Sequence, residues 1–141
     1  MPTWIIFALL SAVFAAFTAI LAKIGVKDVN SNLATAIRTV VILIFAWGIV
    51  FVQGTNKQLS SISRTSMIFL ILSGIATGLS WLFYFRALQL GKASHVAPID
   101  KLSLVLTIVF AAIILKEKVS LSVVFGAVLM TVGTIIIALA K

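Results

Sequence analysis

The sequence is short of several residue types on which enzymes depend. Its 141 residues include no cysteine, one histidine and three acidic residues. Without cysteine there are no disulfides and no thiolate metal sites. So few histidines and carboxylates provide neither a nucleophile paired with a base nor a cluster of metal ligands, and no phosphate-binding P-loop is present. We therefore expect a protein that is not an enzyme and that uses no metal or cofactor.

Charge is scarce as well. Only 10% of the residues are charged while 62% are apolar, and the mean hydropathy is +1.28. Soluble proteins average roughly 45–50% apolar and about 25% charged residues, so this chain has too little charge to cover a surface in water. The net charge of +8 comes from single basic residues between apolar runs, which excludes a stripe that follows nucleic acid. The composition predicts an integral membrane protein surrounded by lipid.

Long apolar runs are what the sequence does contain. A helix needs roughly 20 residues to cross a hydrocarbon core of about 30 Å, and five runs approach or reach that length. They cover residues 3–22, 33–52, 67–85, 98–115 and 121–140. Strands of a membrane barrel would alternate in polarity, and these runs do not, so each run is expected to be a helix. We predict an all-α membrane protein, a bundle of five transmembrane helices in one domain over residues 1–141.

Proline is nearly absent. The chain has two prolines, Pro2 and Pro98, and both stand where a predicted helix begins. Proline is tolerated in the first turn of a helix, where its missing N–H has no partner to lose. We therefore expect no proline to interrupt a span.

The positive charges are almost evenly divided between the two sides that five crossings define. The side of the N-terminus has four, Lys57, Arg64, Lys116 and Lys118, and the opposite side has five, Lys23, Lys27, Arg86, Lys92 and Lys141. Because positively charged loops stay in the cytoplasm, this balance fixes no orientation strongly. Insertion in both orientations and a single orientation set by a few well-placed charges are both compatible with it.

Polar side chains recur along one face of three predicted helices. They are Ser11 and Thr18 on the first, Ser73, Thr77, Ser80 and Tyr84 on the third, and Asp100, Ser103 and Thr107 on the fourth. Such stripes in a membrane face protein or a water-filled cavity, and these could line one cavity together. The alternatives are that the hydroxyls bond to their own helix or join neighbouring helices, and that Trp81 and Tyr84 anchor the chain at the interface.

Two ionisable residues stand close together near the start of the fourth run. If Pro98 is the first helical residue, Asp100 is the third, where a carboxylate meets free amides and the positive end of the helix dipole. Asp100 therefore either caps the helix or forms an ion pair, or it handles substrate or a proton. Lys101 could pair with a carboxylate, bind an anionic group or extend to the interface, and extension also suits Arg38 and Arg86 near span ends.

Small residues mark two helix faces. Gly74 and Gly78 form a G-x-x-x-G pair on the third run, and Gly126 and Gly133 repeat at seven residues on the fifth. Each pair allows another helix to approach closely. Packing within the chain and dimerisation both fit this pattern.

The junction of the third and fourth runs carries a resemblance to a known family. The segments YFRAL at 84–88, GKAS at 91–94 and VAPIDKLS at 96–103, with KEK at 116–118 before the last run, resemble the EamA family of the drug/metabolite transporter superfamily. The resemblance extends over the whole chain. Most members contain two five-helix halves of inverted topology around a central cavity, whereas this chain contains one.

The resemblance implies a transporter subunit that moves a small metabolite or drug-like solute by alternating access. It implies a multi-pass protein of a prokaryotic inner or plasma membrane that works as an antiparallel homodimer, with dual topology, or paired with a related half. The expected cavity contacts are Trp81, Tyr84, Asp100, Lys101, Ser103 and Thr107, and Asp100 is the possible proton site. Small multidrug transporters of this superfamily use an acidic residue in the first helix, and the first run here has none.

Two other functions remain open at this stage. A subunit of a lipid-linked-sugar flippase would share the small helical bundle, and would act on a polyprenyl phosphate with a partner chain. A non-transporting scaffold or assembly protein would share the hydropathy without any response to solutes.

Overall fold

The computed structural model describes residues 2–140, and this part of the chain contains helices and no strand. The helices are α1 Thr3–Gly25, α2 Ser31–Val52, α3 Arg64–Leu90, α4 Ala93–Asp100, α5 Leu102–Ile114 and α6 Leu121–Leu139, with a 3-10 segment at Thr55–Ser61. Lys141, one of the five positive charges counted on its side, lies outside the described residues.

Five stretches of these helices are long and apolar enough to cross a membrane. They are α1, α2, α3, α4 with α5 over Ala93–Ile114, and α6. The predicted fold class, all-helical with five spans, is confirmed. The helices also extend beyond the apolar runs: α1 continues to Gly25, and α3 begins at Arg64 and ends at Leu90. Helical backbone hydrogen bonds continue into the polar residues at the helix ends, so hydropathy alone makes these helices too short.

The prediction that Pro98 starts a helix is wrong. Pro98 is the sixth residue of α4, which begins five residues earlier at Ala93. A proline inside a helix has no N–H to donate and its ring crowds the preceding turn, so helices kink or break there. The expectation that no proline interrupts a span is therefore also wrong, because the fourth span consists of two helices.

The break between α4 and α5 changes the position of Asp100. The N–H of Lys101 is shared between the carbonyls of Ala97 and Pro98, at 3.2 and 3.1 Å, and α5 begins at the next residue. Asp100 is thus the last residue of α4 and not the third residue of a helix. Capping a helix N-terminus as its third residue, one of the roles considered for this carboxylate, is excluded.

The described residues form two compact units that divide between Leu90 and Gly91. In the first unit α3 packs against both α1 and α2. Its buried side chains cluster at the end shared by the C-termini of α1 and α3 and the N-terminus of α2; they are Ala19, Ala22, Val26, Ser31, Thr35, Phe85 and Leu88. Nearly all other large apolar side chains are exposed, as expected where lipid replaces water as the solvent.

Polar contacts hold this end of the first unit together. The ammonium of Lys23 donates to the carbonyl of Leu88. The Gln89 amide donates to the carbonyls of Val26 and Val29, at 3.2 and 2.9 Å. Two side chains at the end of α1 and α3 thus satisfy backbone carbonyls that the helices leave free. The turn between α1 and α2 is fixed against α3 as a result.

In the second unit α6 packs against α4 and α5. Thr134 is buried on α6 and donates to the carbonyl of Pro98 at 3.5 Å, next to the helix break. At the other contact, a ring nitrogen of His95 lies 3.2 Å from the carbonyl oxygen of Ala140. Both contacts join α4 to α6, so the interrupted helix is held in place by its neighbour.

Candidate functional site

The polar stripe predicted on the third span lies on α3 in the first unit. Trp81 and Tyr84 are half-buried, whereas Ser73, Thr77 and Ser80 are exposed. The hydroxyl of Thr77 donates to the carbonyl of Ser73 at 2.9 Å. This hydroxyl is therefore satisfied by its own helix, which was the alternative to lining a cavity.

A cavity of about 380 Å³ opens among α1, α2 and α3 of the first unit. Its wall is mainly apolar and includes Leu21, Val26, Ile37 and Phe85. Thr18, from the polar face predicted on the first span, lines the same cavity, as does Arg38. A mostly apolar pocket with a few polar groups is the usual form of a small-molecule site.

Arg38 makes the closest ring contacts in this cavity. The Cζ atom of its guanidinium lies 4.7 Å from the ring centroid of Phe85 and 5.4 Å from that of Trp81. Both distances are within the range of about 6 Å in which a cation is attracted by an aromatic face. Tyr84 is also near enough to interact with Arg38 electrostatically. The two predicted aromatic residues of α3 are therefore brought together around an arginine of α2.

The sequence-based prediction did not include Arg38 or Phe85 in the site. An arginine inside an apolar run is a signal of a possible site, but it equally suits a side chain that extends to the membrane surface. Its actual neighbours stand on another helix, and the pairing of α2 with α3 is a tertiary contact that helical spacing does not indicate.

The predicted residues of the fourth span lie in the second unit, at the break between α4 and α5. The ammonium of Lys101 is 3.6 Å from a carboxylate oxygen of Asp100, so these two neighbours form an ion pair. Both side chains of the pair are partly accessible in the chain by itself, with 34% of the Asp100 side chain exposed. Pairing with a carboxylate was one of the interpretations considered for Lys101.

The remaining residues of this stripe, Ser103 and Thr107, are exposed on α5. Thr107 donates to the carbonyl of Ser103 at 2.8 Å, as Thr77 does on α3. That all the stripes line one cavity stays a prediction. In the described chain, no group of three or more His, Asp or Glu side chains is placed to hold a metal ion.

The glycine pairs lie on faces that are open within their own units. A Cβ built at Gly74 or Gly78 would meet no other residue of the first unit within 4 Å, and the same holds for Gly126 and Gly133 in the second unit. Neither pair is therefore used for close helix packing inside its unit. Each face has room for a helix from elsewhere.

Comparison with known proteins agrees with the five spans. The model of the EamA-like transporter family matches residues 2–139. Five membrane-crossing helices together with this match define a multi-pass membrane transporter. The chain belongs to the EamA-like transporter family, as its junction motifs indicated.

Two relatives are of nearly the same length as this chain. An uncharacterized transporter in the cobO 3' region of a Sinorhizobium species is 48% identical over 136 residues, which are 96% of each chain. An uncharacterized protein of Methanocaldococcus jannaschii is 28% identical over 141 residues, covering both chains completely. No solved structure matches this chain.

Proposed function

We propose that this chain is one half of an alternating-access transporter for a small metabolite or drug-like solute, in a prokaryotic inner or plasma membrane. The observation that carries the proposal is the odd number of spans in a chain of the EamA-like family. Both relatives are matched over almost their whole length, so neither contains a second set of five spans beside the matched one. In this proposal a second chain completes the transporter.

The second chain is an oppositely inserted copy of the first. A chain with five spans has its two ends on opposite sides of the membrane. Two copies inserted in opposite directions therefore reproduce the inverted repeats that give alternating access around a midplane site. Four and five positive charges on the two sides leave both orientations open. Pairing with a related half is the alternative assembly, and it is expected if every copy inserts in the same direction.

Each unit by itself offers candidate contacts for the solute. Trp81 and Tyr84 on α3 supply an aromatic wall, and Asp100, Lys101, Ser103 and Thr107 supply polar groups at the break in the fourth span and beyond it. A broken helix exposes backbone groups that can bind a solute, and transporters use such breaks for this purpose.

The proposal is tested by purifying the chain, screening metabolites and drugs for thermal stabilisation, and measuring uptake of the compounds that bind into proteoliposomes. Saturable uptake that empty liposomes lack is the expected result. Flux of a polyprenyl phosphate would instead indicate a flippase subunit. Absence of any solute-dependent stabilisation or uptake would favour a scaffold and contradict the proposal.

Replacing Asp100 tests proton coupling. Asp100 is the sole carboxylate within a described span, since Asp28 and Glu117 lie in connecting segments. We expect Asp100→Asn to reduce uptake driven by a pH gradient by about tenfold or more, because an amide cannot exchange the proton. Exchange of labelled for unlabelled solute without a gradient should continue. Asp28→Asn is the matched control, and undiminished pH-driven uptake by the Asp100 variant removes this residue as the proton site.

A further inference from the structure

Arg38 lies well inside its span. It follows the first residue of α2, Ser31, by seven positions, or about 10 Å at a helix rise of ~1.5 Å per residue. Its guanidinium contacts Phe85 and Trp81, which precede the last residue of α3, Leu90, by five and nine positions. The charge therefore stays at the depth of these two rings.

Arg38 is not paired with a carboxylate among the described residues of its unit, where the acidic residue Asp28 lies in the turn between α1 and α2. Helices α1, α2 and α3 contain no aspartate or glutamate. Among residues 2–140 the ion pair is that of Lys101 with Asp100, and no described residue accepts a hydrogen bond from the Arg38 guanidinium. A guanidinium carries five N–H donors. The faces of the two rings attract its positive charge, but they offer no oxygen or nitrogen atom as a hydrogen-bond acceptor. Its donors remain available to a ligand in the cavity.

We infer that the cavity of the first unit binds an amphiphilic anion. Its carboxylate or phosphate group pairs with Arg38, and its apolar body lies against Leu21, Val26, Ile37 and Phe85. A guanidinium binds such planar or tetrahedral oxyanions through two parallel hydrogen bonds. The volume of about 380 Å³ is at the small end of ligand pockets, which span roughly 300–1,000 Å³. The inference rests on the proposed function, and it specifies the charge and shape of the solute.

Three compounds with the same phenyl body test the charge preference. Phenylacetate, phenylethylamine and phenylethanol differ in having an anionic, a cationic or a neutral polar group. We expect phenylacetate alone to raise the unfolding temperature of the detergent-purified chain. Arg38→Gln should weaken phenylacetate binding by about 10- to 100-fold, the usual effect of losing a hydrogen-bonded charge. Arg86→Gln, which removes one exposed arginine outside the cavity, is the matched control and should bind as the unchanged chain does.

A lipid headgroup offers the same chemistry as a free organic anion, so a second arm separates the two sources. The chain is placed in nanodiscs of phosphatidylcholine with and without phosphatidylglycerol. If phosphatidylglycerol stabilises the unchanged chain but not Arg38→Gln, and phenylacetate adds nothing, the anion is the lipid. If phenylacetate stabilises the chain in phosphatidylcholine alone, the anion is a free solute. Either result supports an anion site at Arg38.

A third measurement keeps Arg38 in place, in case its variants do not fold. Thr18 lines the cavity and the chain has no cysteine, so Thr18→Cys gives a single thiol there. Phenylacetate should slow its alkylation by a maleimide, and phenylethylamine should not. The inference is overturned if no anion protects this thiol, or if the amine and alcohol protect it equally. Binding without any transport in proteoliposomes would instead contradict the proposed function and leave the anion site standing.

Discussion

A variant with lysine in place of Asn56, Gln58 and Ser60 is expected to lose most of its transport. These residues lie on the exposed 3-10 segment between α2 and α3, and adding three positive charges there favours the orientation that keeps this side in the cytoplasm. Each antiparallel pair needs one copy in each orientation, so the number of pairs cannot exceed the number of copies in the rarer orientation. A bias of about 95 to 5 therefore leaves at most about one tenth of the pairs that the balanced chain forms.

The opposite orientation in the membrane is favoured when positive charges are removed from the same region of the chain. Lys57→Gln with Arg64→Gln removes two of the four positive charges on this side and should invert the preference. Each biased variant alone is expected to be nearly inactive, and expressing both together should restore uptake, since they insert in opposite directions. Uptake of a solute identified by thermal stabilisation is the measurement.

A neutral triple variant controls for damage to the segment itself. Asn56→Gln, Gln58→Asn and Ser60→Thr change the same side chains without changing the charge, and transport should stay at the level of the unchanged chain. Full activity of each charge-biased variant alone would contradict the antiparallel homodimer. Inactivity that coexpression does not relieve would contradict it as well.

Replacing both Gly126 and Gly133 by leucine is expected to separate the two copies. A Cβ atom at either glycine meets no neighbour within 4 Å in the second unit, so a larger side chain starts in open space there and we expect the unit to fold. A helix from a second copy could no longer approach this face, because close approach depends on small residues. We expect the dimeric fraction in detergent, measured by light scattering, to fall by about tenfold or more, with transport falling in parallel.

Gly48→Leu is the matched control for this substitution. Gly48 lies four residues before the end of α2, a Cβ atom there also meets open space, and it belongs to neither glycine pair. It should leave both the dimer and transport intact. If Gly126→Leu with Gly133→Leu stays dimeric and active, the dimer contact lies on another face, and Gly74 with Gly78 becomes the next pair to replace.

The membrane spans could be predicted from the sequence, and the break in the fourth could not. Hydropathy identifies a span because lipid requires an apolar helix whatever its neighbours are. Hydropathy predicts a connector for the segment before Pro98, which contains the polar residues Ser94 and His95, although this segment forms the beginning of α4. Its polar residues are accommodated by contacts such as that of His95 with the Ala140 carbonyl, which are tertiary and leave no periodic signal.

The candidate site could be predicted only in part for the same reason. Tyr84 ends the polar stripe of the third run and Trp81 is a second aromatic residue near it in the sequence, and both interact with the cavity residue Arg38. Arg38 belongs to α2, and its contact with Phe85 depends on how two helices pack. The hydroxyls of Thr77 and Thr107 show the opposite case, because helical spacing alone predicts that they can bond to the carbonyl four residues earlier.

The orientation of single molecules tests the account most directly. Ser60→Cys places one thiol on the exposed 3-10 segment of a chain that otherwise contains none. In sealed vesicles, a maleimide that cannot cross the membrane should label about half of the copies, and the rest should react only after detergent opens the vesicles. Labelling of every copy, or of none, before the vesicles are opened would show one fixed orientation and contradict the antiparallel pair.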